Sequence, residues 1–193
     1  MKNLEKDMDF ILEMDKMKSI QRETRNLTND RRENDAEHSF YVTIMAMILG
    51  EYADKNIDIN KVIKMMLIHD LVEIDAGDTF AYDEEGYKSK YDREQKAANR
   101  IFALLSPHKE KFYKDLYNEF EDCQTEEAKF ANLIDRINPM ILNYFGHGGT
   151  WKTHNIPREK VLGRIENLKD SSEEIFSYVK GLIDNYFSKE DIE

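Results

Sequence analysis

His38 and His69 each lie in a segment whose apolar residues recur at helical spacing, and an imidazole on such a face carries a desolvation cost unless something pairs with it. A lone histidine there is most often a satisfied core residue, so the weight falls on what surrounds it. His69 is followed at once by Asp70, one helical turn later by Glu73, and then by Asp75, Gly77 and Asp78. Carboxylates gathered at an apolar helix end repel one another, and the C-terminal end of the helix dipole adds to that repulsion. A cation resolves the conflict. The donors are nitrogen and oxygen without thiolate, a set that suits Mn, Co, Fe, Ni, Zn or Mg and leaves the ion's identity open. Asp75 reads as an ordinary salt-bridged surface acid.

The other reactive side chains point elsewhere. His108 follows Pro107 at a polar helix start and reads as solvated; His147 and His154 flank Gly148, Gly149 and Trp151 and read as loop residues. Cys123 stands among Glu121, Asp122, Glu126 and Glu127, whose charge raises a thiol pKa and weakens it as a nucleophile. The glycine-rich stretch after Phe145 lacks the preceding strand that a phosphate-cradling loop requires. Arg22, Arg25, Arg31 and Arg32 fall within residues 21–35, the one locally basic segment, expected to loop over the site and draw in an anionic substrate.

The elements that must position these groups are expected to be helices, since three prolines and eight glycines punctuate the chain and no alternating apolar pattern stands out. A first helix over residues 4–20 carries Phe10, Met14, Met17 and Ile20 inward. Asn34 with Glu37 predicts a capping box opening the helix of His38, Val42, Met45 and Leu49. Asn60 is expected to cap a helix running through His69 to Gly77, and residues 78–91 are expected to loop. Further helices are predicted over 92–105, 109–121 and 125–146, then a polar turn, then one long helix from Pro157 to Phe187. Pro139 removes the amide that would bond the Asp135 carbonyl and predicts a bend there.

A length of 193 residues fits one domain, large enough to fold without a structural metal. Lys and Arg number 28 against 39 Asp and Glu, a net charge of −11 that disfavours bulk nucleic-acid binding. Hydrophobic residues at 40% exclude a disordered acidic chain. One cysteine, no apolar run of membrane-spanning length and no apolar core at the start predict a cytoplasmic protein without a membrane partner.

The segments RRENDAEHS (31–39), HDLVEIDAGD (69–78) and LIDR (133–136), in that order, resemble the HD-domain metal-dependent phosphohydrolases. The similarity is greatest to the bacterial 5′-deoxynucleotidases and their eukaryotic HD-domain relatives, and it spans residues 10–150. It implies an all-α bundle forming a single HD domain over residues 1–193, with a metal site in the core and the C-terminal helix packed on it. By resemblance, His38, His69, Asp70 and Asp135 ligate a divalent metal ion, Glu73 is the acid/base carboxylate, and Asp78 contacts sugar and water. The phosphate-holding arginine of the family falls on Arg22, with Arg25 as its rival; the tryptophan that follows it in the family is Glu23 here. The implied activity is water-driven removal of phosphate from nucleoside 5′-monophosphates, deoxyribonucleotides above all, by a homodimer. The alternatives are hydrolysis of a cyclic nucleotide or a guanosine polyphosphate, or non-catalytic sensing of metal or nucleotide; an acid/base carboxylate at position 73 favours catalysis.

Overall fold

The capping box at Asn34 forms as its sequence predicts: the Asn34 side chain accepts from the Glu37 amide at 3.0 Å, and the Glu37 carboxylate accepts from the Asn34 amide at 3.3 Å. These bonds satisfy amide groups that a first helical turn leaves orphaned. They start α2 (Asp35–Leu49), which carries His38. The computed structural model describes residues 2–190, so Met1 and residues 191–193 of the expected single domain lie outside the described residues. Ahead of α2 come α1 (Lys2–Met14), a 3-10 turn (Asp15–Ser19) and two short strands, β1 (Gln21–Arg25) and β2 (Arg32–Asn34). After it come α3 (Ile59–Ile68), a 3-10 turn (His69–Val72), α4 (Glu73–Ala76), α5 (Glu84–Phe102), α6 (Pro107–Asp122) and α7 (Glu126–Phe145). The chain continues through α8 (Gly149–Thr153), α9 (Arg158–Gly163), a 3-10 segment (Glu166–Ser171) and α10 (Glu173–Glu190). The fold is a helical bundle, as the helical spacing predicts.

Its centre is the contact between α3 and α7. Val62, Met65 and Met66 of α3 meet Phe130, Leu133 and Ile134 of α7, all six fully buried. Helix α2 packs on both, α5 and α6 close one side, and α10 closes another with Val179 and Ile183. Burying one such side chain stabilises the fold by about 1.5–3 kcal/mol, which makes this contact the platform for everything attached to it. Among the described residues no helix is long and apolar enough to cross a membrane.

Several boundaries differ from expectation, each for a local reason. Residues 21–35 are not a loop: β1 and β2 pair antiparallel, Gln21 opposite Asn34 and Arg25 opposite Arg32. Their polar residues conceal the strands because Thr24 and Glu33, both buried, face a polar site instead of the apolar core. The first helix tightens into a 3-10 turn after Met14, which shifts the inner face; Phe10 and Met17 are buried, whereas Met14 is exposed. Asp58, not Asn60, caps α3, accepting from the Asn60 amide at 2.9 Å. That helix stops at Ile68, and a 3-10 turn and α4 carry the chain on to Gly77, whose φ of 72° ends the run. The expected loop over 78–91 is shorter, because Asp83 accepts from the Glu85 and Gly86 amides and starts α5 at Glu84. The turn after Phe145 contains α8, with Trp151 buried. The expected long helix from Pro157 to Phe187 is interrupted between α9 and α10, where Ser172 Oγ accepts from the Ile175 amide and Asp54 Oδ2 from the Glu173 amide. Helix α7 runs unbroken through Pro139.

Replacing Asn34 with alanine removes one half of the capping box. The expected outcome is a loss of about 1 kcal/mol in chemical denaturation; an unchanged denaturation midpoint would show that the cap is not needed to start α2.

Candidate metal and substrate site

Three elements of the central platform converge on one point. The Nε2 atom of His38, from α2, lies 2.9 Å from Asp135 Oδ1, from α7, and 3.7 Å from Asp70 Oδ2. The Nε2 atom of His69 lies 3.2 Å from Asp70 Oδ1 and 3.5 Å from Asp135 Oδ1. Donors about 2.1 Å from one cation stand about 3.0–3.4 Å apart in octahedral or tetrahedral arrangement, so these separations suit a shared divalent ion. The orientation of the rings supports the same fit. His69 Nδ1 lies 2.9 Å from the Met66 carbonyl, which leaves the buried Nε2 without a hydrogen-bond partner and turned to the cluster. Glu33 Oε2 stands 3.4 Å behind His38 Nδ1. The described residues thus contain a His/Asp group able to hold a metal ion.

The charges are tightly interlocked. Burial and the Arg22 charge oppose a proton on His38, but Asp135, Glu33 and Asp70 outweigh them and push it up to about 9. Burial likewise opposes ionisation of Asp135, yet its hydrogen bond from His38 and the His69 imidazole 3.5 Å away hold it well below the usual carboxylate range. A cation bound here would compete with protons for the same imidazole nitrogens.

Beside this group lies a second cluster of acids. Asp35, Glu73 and Asp78 each offer an oxygen within 4.8 Å of the others. Burial, then the Asp70 charge, hold the Glu73 carboxyl well above its ordinary value, and the same two causes push Asp35 up to about 7. Burial also raises Asp78. Arg22 reaches in from β1: its Nη1 lies 2.6 Å from Asp70, 3.4 Å from Asp35, 3.7 Å from Asp78 and 3.8 Å from Glu73. Desolvation works against its charge, but these acids keep it firmly protonated.

Arg25 is not brought here. It is exposed on the far side of the strand pair, where it donates to the Asp30 carbonyl and lies 3.4 Å from the Asp30 carboxylate. Arg31 pairs with Glu37 and Arg32 with Glu23, so the expected basic funnel is largely neutralised and only Arg22 enters the site. Asp75 pairs with Arg100, as a structural acid would. His108 and His147 are exposed, while His154 stacks on Phe80 with ring centroids 4.7 Å apart and faces Glu23 at 3.4 Å. The Cys123 thiol is raised, but chiefly by burial; Glu121 is a minor cause, and Arg136 and Lys129 pull the other way.

A cavity of about 340 Å³ opens from His69, Asp70, Glu73, Asp78 and Asp135, large enough for a nucleotide-sized ligand. Its other walls include Phe80, Tyr82, Tyr87, Trp151, Arg136 and Arg164. The loop bearing Asp78 is strapped by Arg93, which donates to the Ala76 carbonyl, to Thr79 Oγ1 at 2.9 Å and to the Gly86 carbonyl at 3.3 Å. Sequence reasoning missed Asp35, Glu33 and Arg93. Asp35 stands three residues before His38, so helical spacing signals a shared face; Glu33 and Arg93 act through strand pairing and a long-range reach that spacing does not record.

A family model described as HD domain matches residues 14–176. Among solved structures, the chain is similar to a predicted metal-dependent phosphohydrolase from Magnetospirillum magnetotacticum MS-1, with 42% identity, 96% of each chain covered and a TM-score of 0.91. A conserved hypothetical protein from Pyrococcus furiosus shares the fold at 24% identity and a TM-score of 0.63, over 94% of this chain and 99% of that one. Among curated relatives, 5′-deoxynucleotidase HDDC2 of Dictyostelium discoideum is 34% identical over 58% of this chain. The matched region spans 62% of that relative's length. The mouse (Mus musculus) protein of the same name is 28% identical over 77% of this chain and 69% of its own. The family match runs from the last residue of α1 into α10 and takes in His38, His69, Asp70 and Asp135 together: this chain belongs to the HD domain family.

Proposed function

We propose that the chain is a divalent-metal-dependent phosphohydrolase that removes phosphate from nucleoside 5′-monophosphates, with deoxyribonucleotides preferred. The observation that carries this reading is the adjacency of two groups: the donor atoms of His38, His69 and Asp135, all within 4.8 Å of one another with the Asp70 carboxylate alongside, and beside them the buried Glu73 carboxyl, held above its ordinary pKa. The similarity to proteins called 5′-deoxynucleotidase and to one called a metal-dependent phosphohydrolase supports the same reading. His38, His69, Asp70 and Asp135 would hold the ion. A divalent ion there supplies Lewis acidity toward a phosphoryl oxygen and makes water nucleophilic at neutral pH.

The remaining steps fall to the chain's own side chains. Arg22, with a fixed positive charge at the cavity wall, binds and orients the phosphate anion. Hydrolysis forms a bond from the water oxygen to phosphorus and breaks the bond from phosphorus to O5′, and the proton lost by water must reach the leaving oxygen. Glu73 is the group placed to relay it, because burial and the Asp70 charge raise its pKa, so that it holds a proton more readily than an ordinary carboxylate. Asp78, half-buried on the loop strapped by Arg93, faces the sugar. Phe80, Tyr82 and Trp151 supply apolar walls for the nucleoside in place of the tryptophan that Glu23 replaces.

The single HD domain is proposed to act as a homodimer in the cytoplasm. Support for the dimer is an apolar stripe on α2, where Phe40, Ile44, Met47 and Ile48 are all exposed at i, i+4, i+7 and i+8, next to the exposed Ile11 and Leu67. An uncharged face of this kind on so acidic a chain is self-complementary across a two-fold axis. The lone Cys123, which leaves the fold without a disulfide, suits a reducing compartment, and fractionation of cells expressing the tagged chain checks that location.

After metal is stripped and Mn, Co, Mg or Zn restored singly, phosphate release from a panel of deoxy- and ribonucleoside 5′-monophosphates is expected to return with at least one ion and to favour the deoxy set; metal binding without turnover on any of them contradicts the proposal. His69→Ala is expected to lose bound metal by elemental analysis, whereas Glu73→Ala keeps the metal and loses about 10²–10⁴-fold in kcat. Full activity in Glu73→Ala removes its assigned role. In light scattering the wild type is expected at twice the chain mass and Phe40→Glu at the single mass; a monomeric wild type refutes the dimer.

A further inference from the structure

Nine arginines occur in this chain, and among the described residues six of them stand within 4.0 Å of a carboxylate: Arg22, Arg25, Arg31, Arg32, Arg100 and Arg158. In a protein of net charge −11 that is the ordinary outcome. Of the other three, Arg93 is consumed by the loop it straps. The remaining two, Arg136 and Arg164, share one wall of the substrate cavity. Arg136 donates to the Arg164 carbonyl at 3.0 Å and to Asn132 Oδ1 at 3.1 Å; Arg164 donates to the Tyr87 hydroxyl at 2.9 Å, its guanidinium 6.0 Å from the ring centroid of the same tyrosine. Every one of these acceptors is neutral.

The nearby acids are engaged elsewhere: Asp135, next to Arg136 in the chain, lies 2.9 Å from His38, Glu94 in the same cavity lining is taken by Lys90, 2.8 Å away, and Glu121 is itself pushed toward its neutral form, chiefly by burial. Two guanidinium groups that face a cavity, repel each other and lack a carboxylate are stabilised when an anion enters between them, and the planar fork of arginine suits phosphate oxygens in particular. The same cavity is also lined by His69, Asp70, Asp135 and Arg22, the groups assigned above to the scissile phosphate.

We infer that Arg136 and Arg164 form a second anion subsite, and that the preferred substrate carries another phosphate-class anion remote from the phosphoryl group that is cleaved. This rests on the phosphohydrolase reading for which end of the cavity does the chemistry. It narrows that reading from nucleoside monophosphates in general to phosphomonoesters with two anionic ends. No new bond chemistry is involved: the second anion is bound, not transferred.

Equilibrium binding separates this inference from the reading beneath it. Calorimetric titration of the full chain with deoxyadenosine 5′-monophosphate and with deoxyadenosine 3′,5′-bisphosphate is expected to show the bisphosphate binding about tenfold more tightly, the yield of one added charge-assisted contact. In Arg164→Gln, and separately in Arg136→Gln, the ratio of the two dissociation constants is expected to collapse to within about twofold, an effect that loss of stability alone would not produce because it moves both ligands together. Equal binding of the two ligands by the wild type, or a ratio preserved in both variants, overturns the inference. Monophosphate turnover with restored metal, run in parallel, reports on the phosphohydrolase reading independently. If turnover is present and the ratio is one, only the second subsite is lost; if turnover is absent and the ratio is ten, the subsite stands and the chemistry assigned to the other end fails.

Discussion

The structure depends on one electrostatic constraint: two imidazoles and several carboxylates are gathered in the middle of a helical bundle at the edge of a cavity, where burial weakens their screening. A single unpaired charge in that position costs several kcal/mol, so the group is stable only if its charges sum locally. Asp70 and Asp135 raise the proton affinity of His38 and His69 against the cost of burial, and Arg22 offsets the acids beside them. A divalent ion would carry the same positive charge at the same point while releasing the imidazole protons, which ties the protonation state of the site to its occupancy. The apolar contact between α3 and α7 supplies the stability against which this arrangement is held.

The same constraint divides the labour within the cavity. Asp135, hydrogen-bonded by His38 and facing His69, is driven to remain ionised, as its proposed ligand role requires. Glu73, a few residues from Asp70 and facing other acids, is driven the opposite way. Two carboxyl groups lining one cavity are thus driven in opposite directions by what each of them faces, which suits the separate ligand and proton-relay roles proposed for them.

How much of this was legible in the sequence follows the range of each interaction. The Asn34 cap depends on residues three apart, and it formed as read. The helical class depends on periodicity, and it held. The order His38, then His69-Asp70, then Asp135 led to the family, and the fold brings those four side chains to one point. What escaped was set by distant partners. The polar stretch from Gln21 to Asn34 is strand because Thr24 and Glu33 face a buried polar site, a context that a hydrophobic pattern does not contain. The helix expected to reach Gly77 tightens at His69, and the start of α5 at Glu84 hangs on the Asp83 cap, a single local signal hidden in a run of charges. Arg136 stood in the quoted LIDR segment, yet only the folded arrangement shows that it lacks a carboxylate and looks toward Arg164.

The central claim is that the four donors of His38, His69, Asp70 and Asp135 share one divalent ion. Anomalous diffraction at the manganese edge, from crystals of the full chain grown with manganese, tests it most directly. The account predicts an anomalous peak within about 2.0–2.3 Å of His38 Nε2, His69 Nε2 and one oxygen each of Asp70 and Asp135. A fully ordered site without such a peak, or a peak that lies away from these four side chains, would contradict it.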